Sequence, residues 1–352
     1  PAAFAVRVGP ALVHHGIVSA EGAGLSLGSR KMLEKWKRAA VHLECAADSE
    51  DIHDHLRRVD ESLRRRGQGQ PLTANELEDV MRGMRDIRFH GTATFIEEEG
   101  RRYLLSARHV LFDETKQKRE VQAEQKWVGH ECALERAAEE ASDAIFNIIF
   151  RVPTLDDVLA SRRSEQFLMN LGAGVPSLAP YTFSEEHDLA VVSLDRRDSA
   201  FADELVARGH EPLSLDDLAD GPREEGQELC AIGFPSATAL VGQVGLHWAL
   251  RSWGSSHFSL PVLSFGRVSM LHDELPFFWA DMSIYPGNSG GLVIADDRLI
   301  GIVSAQAIVP LDAAPEVYAR IPFGKIIKAG HARALLRVQK EKDARFREMT
   351  AR

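Results

Sequence analysis

The chain has 352 residues, of which 44% are hydrophobic and 27% are charged, as in ordinary globular proteins, so wholesale disorder is excluded. Its net charge of −10 argues against nucleic-acid binding, because an acidic surface repels phosphate backbones. No apolar run is long enough to span a membrane, and the first residues do not resemble a signal peptide, so we expect no membrane association.

The cysteines indicate a reducing environment. Cys45, Cys132 and Cys230 are odd in number and widely spaced, which argues against a disulfide framework. We therefore expect a cytoplasmic location.

The first half of the chain alternates between helical and strand patterns. A charged helix is expected at the end of an N-terminal extension, residues 1–38, and alternating residues predict a strand from 39 to 45. Residues 49–88 carry apolar side chains at helical spacing with a break at GQGQP, which predicts a helical hairpin. Residues 91–106 have the pattern of a β-hairpin with a glycine in its turn.

The second half is rich in short strands. Strong helix formers at 113–147 and an irregular run at 152–180 precede them. From residue 181 short β-branched or alternating segments recur at intervals that suit an antiparallel barrel or sandwich. A final amphipathic segment predicts a C-terminal helix over 323–352.

The strongest chemical signal is the segment PGNSGG at 286–291, which places Ser289 among glycines. A serine on such a tight turn is typical of a nucleophile, because backbone N–H groups can converge on an oxyanion there. The segment also matches the G-x-S-x-G elbow of α/β-hydrolases, whose histidine follows the serine. Here only His331 follows, and about 60 residues are too few to complete a parallel sheet, so this interpretation is disfavoured.

The chain contains good candidates for a catalytic triad in the order histidine, aspartate, serine. LLSARHVL places His109 at the end of an apolar strand, and EEHDLAVVSLD places Asp188 at the start of another. Four segments in this order, SARHV, HDLAVV, PGNSGG and GIVSA, resemble those of trypsin-like serine peptidases with the chymotrypsin fold. Asn288, together with DLAVVSL and AIGFP, is similar to the bacterial HtrA-like branch of that family.

The resemblance implies a mainly β, chymotrypsin-like double antiparallel β-barrel with helical insertions and a C-terminal helix. The expected division is a first barrel over 39–200, with insertions at about 49–88 and 113–178, and a second barrel over 201–322. The implied activity is that of a serine endopeptidase acting on protein or peptide substrates.

The resemblance also assigns roles to residues. Ser289 would be the nucleophile, His109 its base and Asp188 the partner that orients the imidazole. The N–H groups of Gly287 and Ser289 would form the oxyanion hole, and Ser304 would support Asp188 and bind substrate backbone. His187 is an alternative base, but strand alternation points it away from the side on which Asp188 lies.

The resemblance also predicts residues of the specificity pocket. Ser283 is expected at the base of the P1 pocket, Gln306 at its mouth and Tyr318 on its wall. Glu316 is placed where a carboxylate would favour Lys or Arg at P1. The alternative is a solvated glutamate and a pocket for small or apolar side chains.

The chain departs from the family at several points. Asn288 replaces the aspartate that pairs with a new N-terminus in trypsin-type zymogens, so we expect no activation by cleavage. No PDZ-like domain is expected after the barrels. The insertions are expected to pack against the first barrel or to dock a regulatory protein. A catalytically idle binding module, which recognises a partner through these insertions, is the competing hypothesis.

No cofactor and no metal are expected. His53 and His55 do not share a helix face, and His130 with Cys132 is too sparse for a zinc site.

Overall fold

The computed structural model describes residues 27–47, 52–81, 87–113, 146, 148–160, 167–169, 171, 178–243, 255, 257–311 and 314–351. The strands are, in chain order, β1 (Ala40–Ala47), β2 (Ile87–Glu98), β3 (Arg101–Ala107), β4 (Ile148–Arg151), β5 (Phe167–Met169), β6 (Tyr181–Ser184), β7 (Leu189–Ser193), β8 (Leu213–Ser214), β9 (Glu228–Gly233), β10 (Leu240–Gln243), β11 (His257–Ser259), β12 (Val262–Met270), β13 (Phe277–Asp281), β14 (Leu292–Ala295), β15 (Arg298–Leu311) and β16 (Ala314–Lys328). The helices are α1 (Leu27–Ala39), α2 (Ile52–Gly67), α3 (Ala74–Met81), α4 (Arg108–Leu111), α5 (Leu155–Leu159), α6 (Ala200–Ala207), α7 (Ser236–Ala239) and α8 (Gly330–Thr350), with a 3-10 turn at Leu215–Asp217.

The first domain is built on one antiparallel sheet in the order β5-β4-β1-β2-β3-β7-β6, to which β8 adds in parallel beside β2. The β2–β3 hairpin turns at Glu99 and Gly100, which both have positive φ, as a tight hairpin requires. Apolar side chains of β1, β2, β3 and β7 alternate into one buried cluster, which forms the core of this domain.

The second domain is a closed antiparallel barrel in the order β12-β13-β16-β15-β14-β9. Its closure removes open sheet edges. A further buried cluster contains Ile96 and Leu105 of the first domain and Phe234 and Leu292 of the second, so an apolar contact fixes the two domains against each other. The predicted mainly β, chymotrypsin-like fold class with a C-terminal helix is confirmed.

The insertions are only partly helical. Helices α2 and α3 occupy the region 49–88, as the apolar spacing indicates. In the region 113–178, residues 114–145 lie outside the described part, and the rest includes strands β4 and β5. Sequence analysis assigned no element to residues 148–151, and β5 falls within the run 152–180 that it treated as irregular. All four residues of β4 are buried, so the strand lacks the alternation that reveals a half-exposed strand.

The C-terminal helix starts later than expected, at Gly330 rather than at residue 323. The preceding residues belong to β16, whose Ile326 and Ile327 pair with β13 and β15 and complete the barrel. Helix α8 then returns to the first domain, where Gln339 accepts a hydrogen bond from Thr182 at 2.7 Å. Within the described residues, no helix is both long and apolar enough to cross a membrane.

Candidate active site

His109 and Asp188 meet because their strands are neighbours. Strand β3 ends at Ala107, which pairs with Leu189 at the start of β7, so the residues just beyond each strand lie side by side. His109 is the second residue of the short helix α4, and its Nδ1 lies 2.9 Å from Oδ2 of Asp188. The backbone N–H of His109 donates to the other carboxylate oxygen at 3.2 Å.

Asp188 is held from a second side by Ser304. The hydroxyl of Ser304, on β15, donates to Oδ2 of Asp188 at 2.6 Å. Burial alone would raise the pKa of Asp188, but the hydrogen bonds and charge of His109 and the bond from Ser304 outweigh it and hold that pKa below its usual value. The carboxylate therefore stays ionised beside the imidazole at neutral pH.

Ser289 lies in the loop between β13 and β14, and backbone hydrogen bonds fix that loop. Asn288 N–H donates to Tyr285 at 2.9 Å, and Gly290 N–H donates to Val303 at 2.7 Å. The Ser289 hydroxyl donates to the carbonyl of Ser304 at 3.2 Å, so it faces the side of the loop on which Asp188 is held.

Gly287 gives the loop its shape. Its φ of 99° is strained for any residue with a side chain, and a Cβ there would collide with the carbonyl of Phe234. The carbonyl of Pro286 accepts a bond from Ser236 N–H at 2.9 Å. The N–H of Gly287, in the same trans peptide, therefore points the opposite way. Among the described residues, neither this N–H nor that of Ser289 has a hydrogen-bond acceptor.

Thr92 is a site residue that sequence reasoning missed. It lies on β2, fully buried, and its hydroxyl donates to the carbonyl of Gly287 at 2.8 Å while accepting from Phe234 N–H at 3.0 Å. Its backbone N–H donates to the carbonyl of Ser289 at 2.8 Å. Thr92 thus ties the first domain to the serine loop. No sequence pattern around Thr92 indicates this role, because threonine is common in strands.

A cleft of about 540 Å³ connects these groups. Its lining residues are Arg108, His109, Glu185, Asp188, Ile284, Tyr285, Pro286, Ser289, Ser304, Ala305, Gln306, Ile308 and Arg320. The structure thus brings His109, Asp188, Ser289, Ser304 and Gln306 together.

Two of the expected specificity residues, Ser283 and Tyr318, do not line this cleft, and the position of a third, the Glu316 side chain, is outside the described part. Ser283 is exposed and does not line it, and neither does Tyr318, which pairs with Pro310 on the outer part of the β15–β16 hairpin. Glu316 lies in β16, but its side chain is outside the described part of the structure. The residue opposite Gln306 is Gly324.

The alternative base His187 faces elsewhere. Its ring stacks on His331 of α8 with centroids 4.1 Å apart, and its Nδ1 lies 2.9 Å from the hydroxyl of Ser184. It does not line the cleft that contains Ser289.

We compared the chain with known proteins and with models of protein families. A search of curated proteins finds no match to the chain. A family model of the trypsin-like peptidase domain matches residues 91–302, which is more than half of the chain and includes His109, Asp188 and Ser289. The chain therefore belongs to the trypsin-like peptidase family.

Proposed function

We propose that this peptidase is a serine endopeptidase in which His109, Asp188 and Ser289 form the catalytic triad. The observation that carries the proposal is their convergence on one cleft, with the His109 imidazole held by the ionised Asp188. Ser304 supports the same carboxylate, which matches the role that the family resemblance implies for it.

The chemistry follows from these positions. The Ser289 hydroxyl turns from the Ser304 carbonyl towards His109, which accepts its proton as Oγ attacks the scissile carbonyl. His109 then protonates the departing amine, and an acyl-enzyme remains on Ser289. Water, deprotonated by the same imidazole, releases the acid product. Asp188 stabilises the imidazolium that exists between these steps.

The oxyanion would be bound by the N–H groups of Gly287 and Ser289. The hydrogen bond from Ser236 N–H to the Pro286 carbonyl supports this assignment, because it holds the peptide before Gly287 with its N–H on the side opposite Ser236. Each such donor contributes about 3 kcal/mol to transition-state stabilisation in related chemistry. We propose that the hole is formed without cleavage of the chain. Asn288 is neutral and 4% exposed, so it cannot make the ion pair used by trypsin-type zymogens.

For P1 we propose small or apolar side chains. Ile284 lines the cleft and packs against Gly324 so closely that a Cβ at Gly324 would lie 2.7 Å from Cγ1 of Ile284. An isoleucine in this place makes the pocket shallow and apolar. A library of peptides with P1 varied tests this: Ala, Val or Ser should be favoured, whereas a preference for Lys or Arg would support the Glu316 hypothesis instead.

The finer family placement and the cellular setting are also proposals. Asn288 and the segment DLAVVSL support the HtrA-like branch. Cys45 and Cys230 are both free thiols, which supports a reducing compartment such as the cytoplasm. We propose that a regulatory protein docks on the α2–α3 hairpin, whose side chains are largely charged and exposed.

Mass spectrometry of new peptide termini tests the activity. A proteome incubated with the purified chain should gain new termini at defined P1 residues, and the Ser289→Ala variant should yield none. If both proteins give the same termini, the chain is an idle binding module and the proposal fails.

A further inference from the structure

A second polar cluster lies on the face of β1 and β2 opposite the core of the first domain. Val41, Leu43 and Cys45 point into that core, so strand alternation places Glu44 on the other face. The residue paired with Glu44 on β2 is His90. Directly paired side chains of antiparallel strands lie about 5 Å apart, so the carboxylate and this imidazole are close neighbours.

A third ligand-type group comes from a different part of the chain. His257 begins β11, which pairs with β10 in a two-stranded ribbon. Its ring meets that of His90 edge to face, with centroids 5.7 Å apart. One ligand atom each of Glu44, His90 and His257 lies within 4.8 Å of the other two.

His42 extends the cluster. It stacks on Phe234, its ring centroid lies 5.4 Å from that of His90, and its Nδ1 is 2.8 Å from the hydroxyl of Ser259. The ring is 2% exposed, and its Nε2 has no hydrogen-bond partner among the described residues. A buried ring nitrogen without a partner is costly unless it has a further role.

We propose that Glu44, His90 and His257 bind a transition-metal ion, for which Zn²⁺ is the best fit. Two imidazoles and one carboxylate are a common zinc set that leaves a fourth position open. Zinc bonds of about 2.1 Å place tetrahedral ligand atoms about 3.4 Å apart. The ligand atoms of the three residues must therefore approach one another by on the order of 1 Å when the ion binds. Imidazole-rich sites disfavour Mg²⁺ and Ca²⁺.

Burial and access both suit the proposal. Glu44 is 1% exposed, and a buried carboxylate gains most from a directly bound cation. His90 and His257 are part-exposed, so an ion can enter from solvent. The ion would join β1 and β2 to the β10–β11 ribbon. Sequence analysis did not find this group, because its residues lie on three strands, up to 213 positions apart (257 minus 44).

Zinc binding tests the site independently of peptidase activity. The tag-free full chain carrying Ser289→Ala is titrated with ZnCl₂ by calorimetry, and bound metal is counted after dialysis. We expect one Zn²⁺ per chain, a rise in melting temperature on binding, and no such effect of Mg²⁺. Replacement by Co²⁺ should give the visible absorption of a four-coordinate ion.

Variants locate the ion. In the same background, His257→Gln and His90→Gln should each weaken zinc binding at least 100-fold while leaving the circular dichroism spectrum unchanged. His331→Gln is the matched control, because it alters a histidine ring pair outside the cluster, and it should leave zinc binding unchanged. Absence of saturable binding, or binding that survives both His257→Gln and His90→Gln, overturns the proposal and leaves a metal-free network of histidines and a carboxylate.

Discussion

Asp188 adopts a backbone conformation that is unfavourable for an aspartate. Its φ is 50°, in the left-handed region, which costs a side-chain-bearing residue about 1 kcal/mol. Hydrogen bonds from the ring and backbone of His109 and from Ser304 offset that cost. Such strain persists where several neighbours fix one geometry, as they do here around the carboxylate.

Asp188→Asn should lower kcat about 10⁴-fold, because an amide cannot stabilise the imidazolium and favours the wrong histidine tautomer. The melting temperature should change little, since the side chain keeps its size. Initial rates on a peptide identified by terminus mapping measure the effect. Glu185→Gln is the matched control, because this carboxylate also lines the cleft but pairs with Arg108. A loss below tenfold for Asp188→Asn would contradict the assigned role.

At the level of elements, the serine loop depends on a strand of the other domain. Thr92 on β2 contacts the carbonyls of both Gly287 and Ser289, and its own carbonyl accepts from Ser106 at 2.7 Å. The loop conformation is therefore set by the contact between domains as well as by its own glycines.

Thr92→Val should lower kcat by about 10- to 100-fold while changing KM less. The valine keeps the shape but removes the hydroxyl, which leaves the carbonyl of Gly287 and the N–H of Phe234 buried without partners, at a cost of about 1–3 kcal/mol each. Thr92→Ser retains the hydroxyl and should restore most of the rate. Steady-state kinetics of wild type and the two variants measure the effect, and a Thr92→Ser rate no higher than that of Thr92→Val would contradict the role assigned to the hydroxyl.

At the scale of the whole molecule, a buried polar network joins the N-terminal segment to the first domain. Arg151 on β4 donates to Asp157 at 2.7 Å and to Nε2 of His210 at 3.1 Å. Nδ1 of His210 lies 2.9 Å from the carbonyl of Arg38, at the end of α1. Burial, followed by the charge of Arg151, lowers the pKa of His210 to about 4.

This network predicts a pH dependence of stability. Between the unfolded pKa of about 6.5 and the folded pKa of about 4, only the unfolded chain binds a proton at His210, so stability falls as pH decreases through this window. The expected contribution is on the order of 3 kcal/mol, fully present above pH 7. Urea unfolding of Ser289→Ala at several pH values measures it.

His210→Gln should flatten this pH dependence, whereas His272→Gln, on an exposed turn, should not. An unchanged slope in the His210 variant would assign the effect to other groups.

The residues that sequence analysis selected and the structure places at one cleft are those with recognisable immediate neighbours. His109, Asp188 and Ser289 each adjoin a recognisable strand or glycine turn, and the fold class followed from the order of these segments. Thr92 and the group of Glu44, His90 and His257 have no recognisable neighbours in the sequence. Only tertiary contacts bring Thr92 to the serine loop and the three other residues to one another.

Strand register explains why Tyr318 does not lie on the pocket wall, where the sequence analysis expected it. The β15–β16 hairpin is longer than expected and sets Gly324 opposite Gln306, which leaves Tyr318 on its outer part. Register depends on which residues pair across the hairpin, and local patterns do not encode that pairing.

The central claim is that Ser289 is a nucleophile activated by His109 and Asp188. Labelling with a fluorophosphonate, followed by peptide mass spectrometry, tests it most directly because no substrate needs to be known. We predict one adduct per native chain, located on Ser289, lost in Ser289→Ala, strongly slowed in Asp188→Asn and absent from the denatured protein. Failure of the native chain to acquire any adduct at Ser289 would contradict the claim.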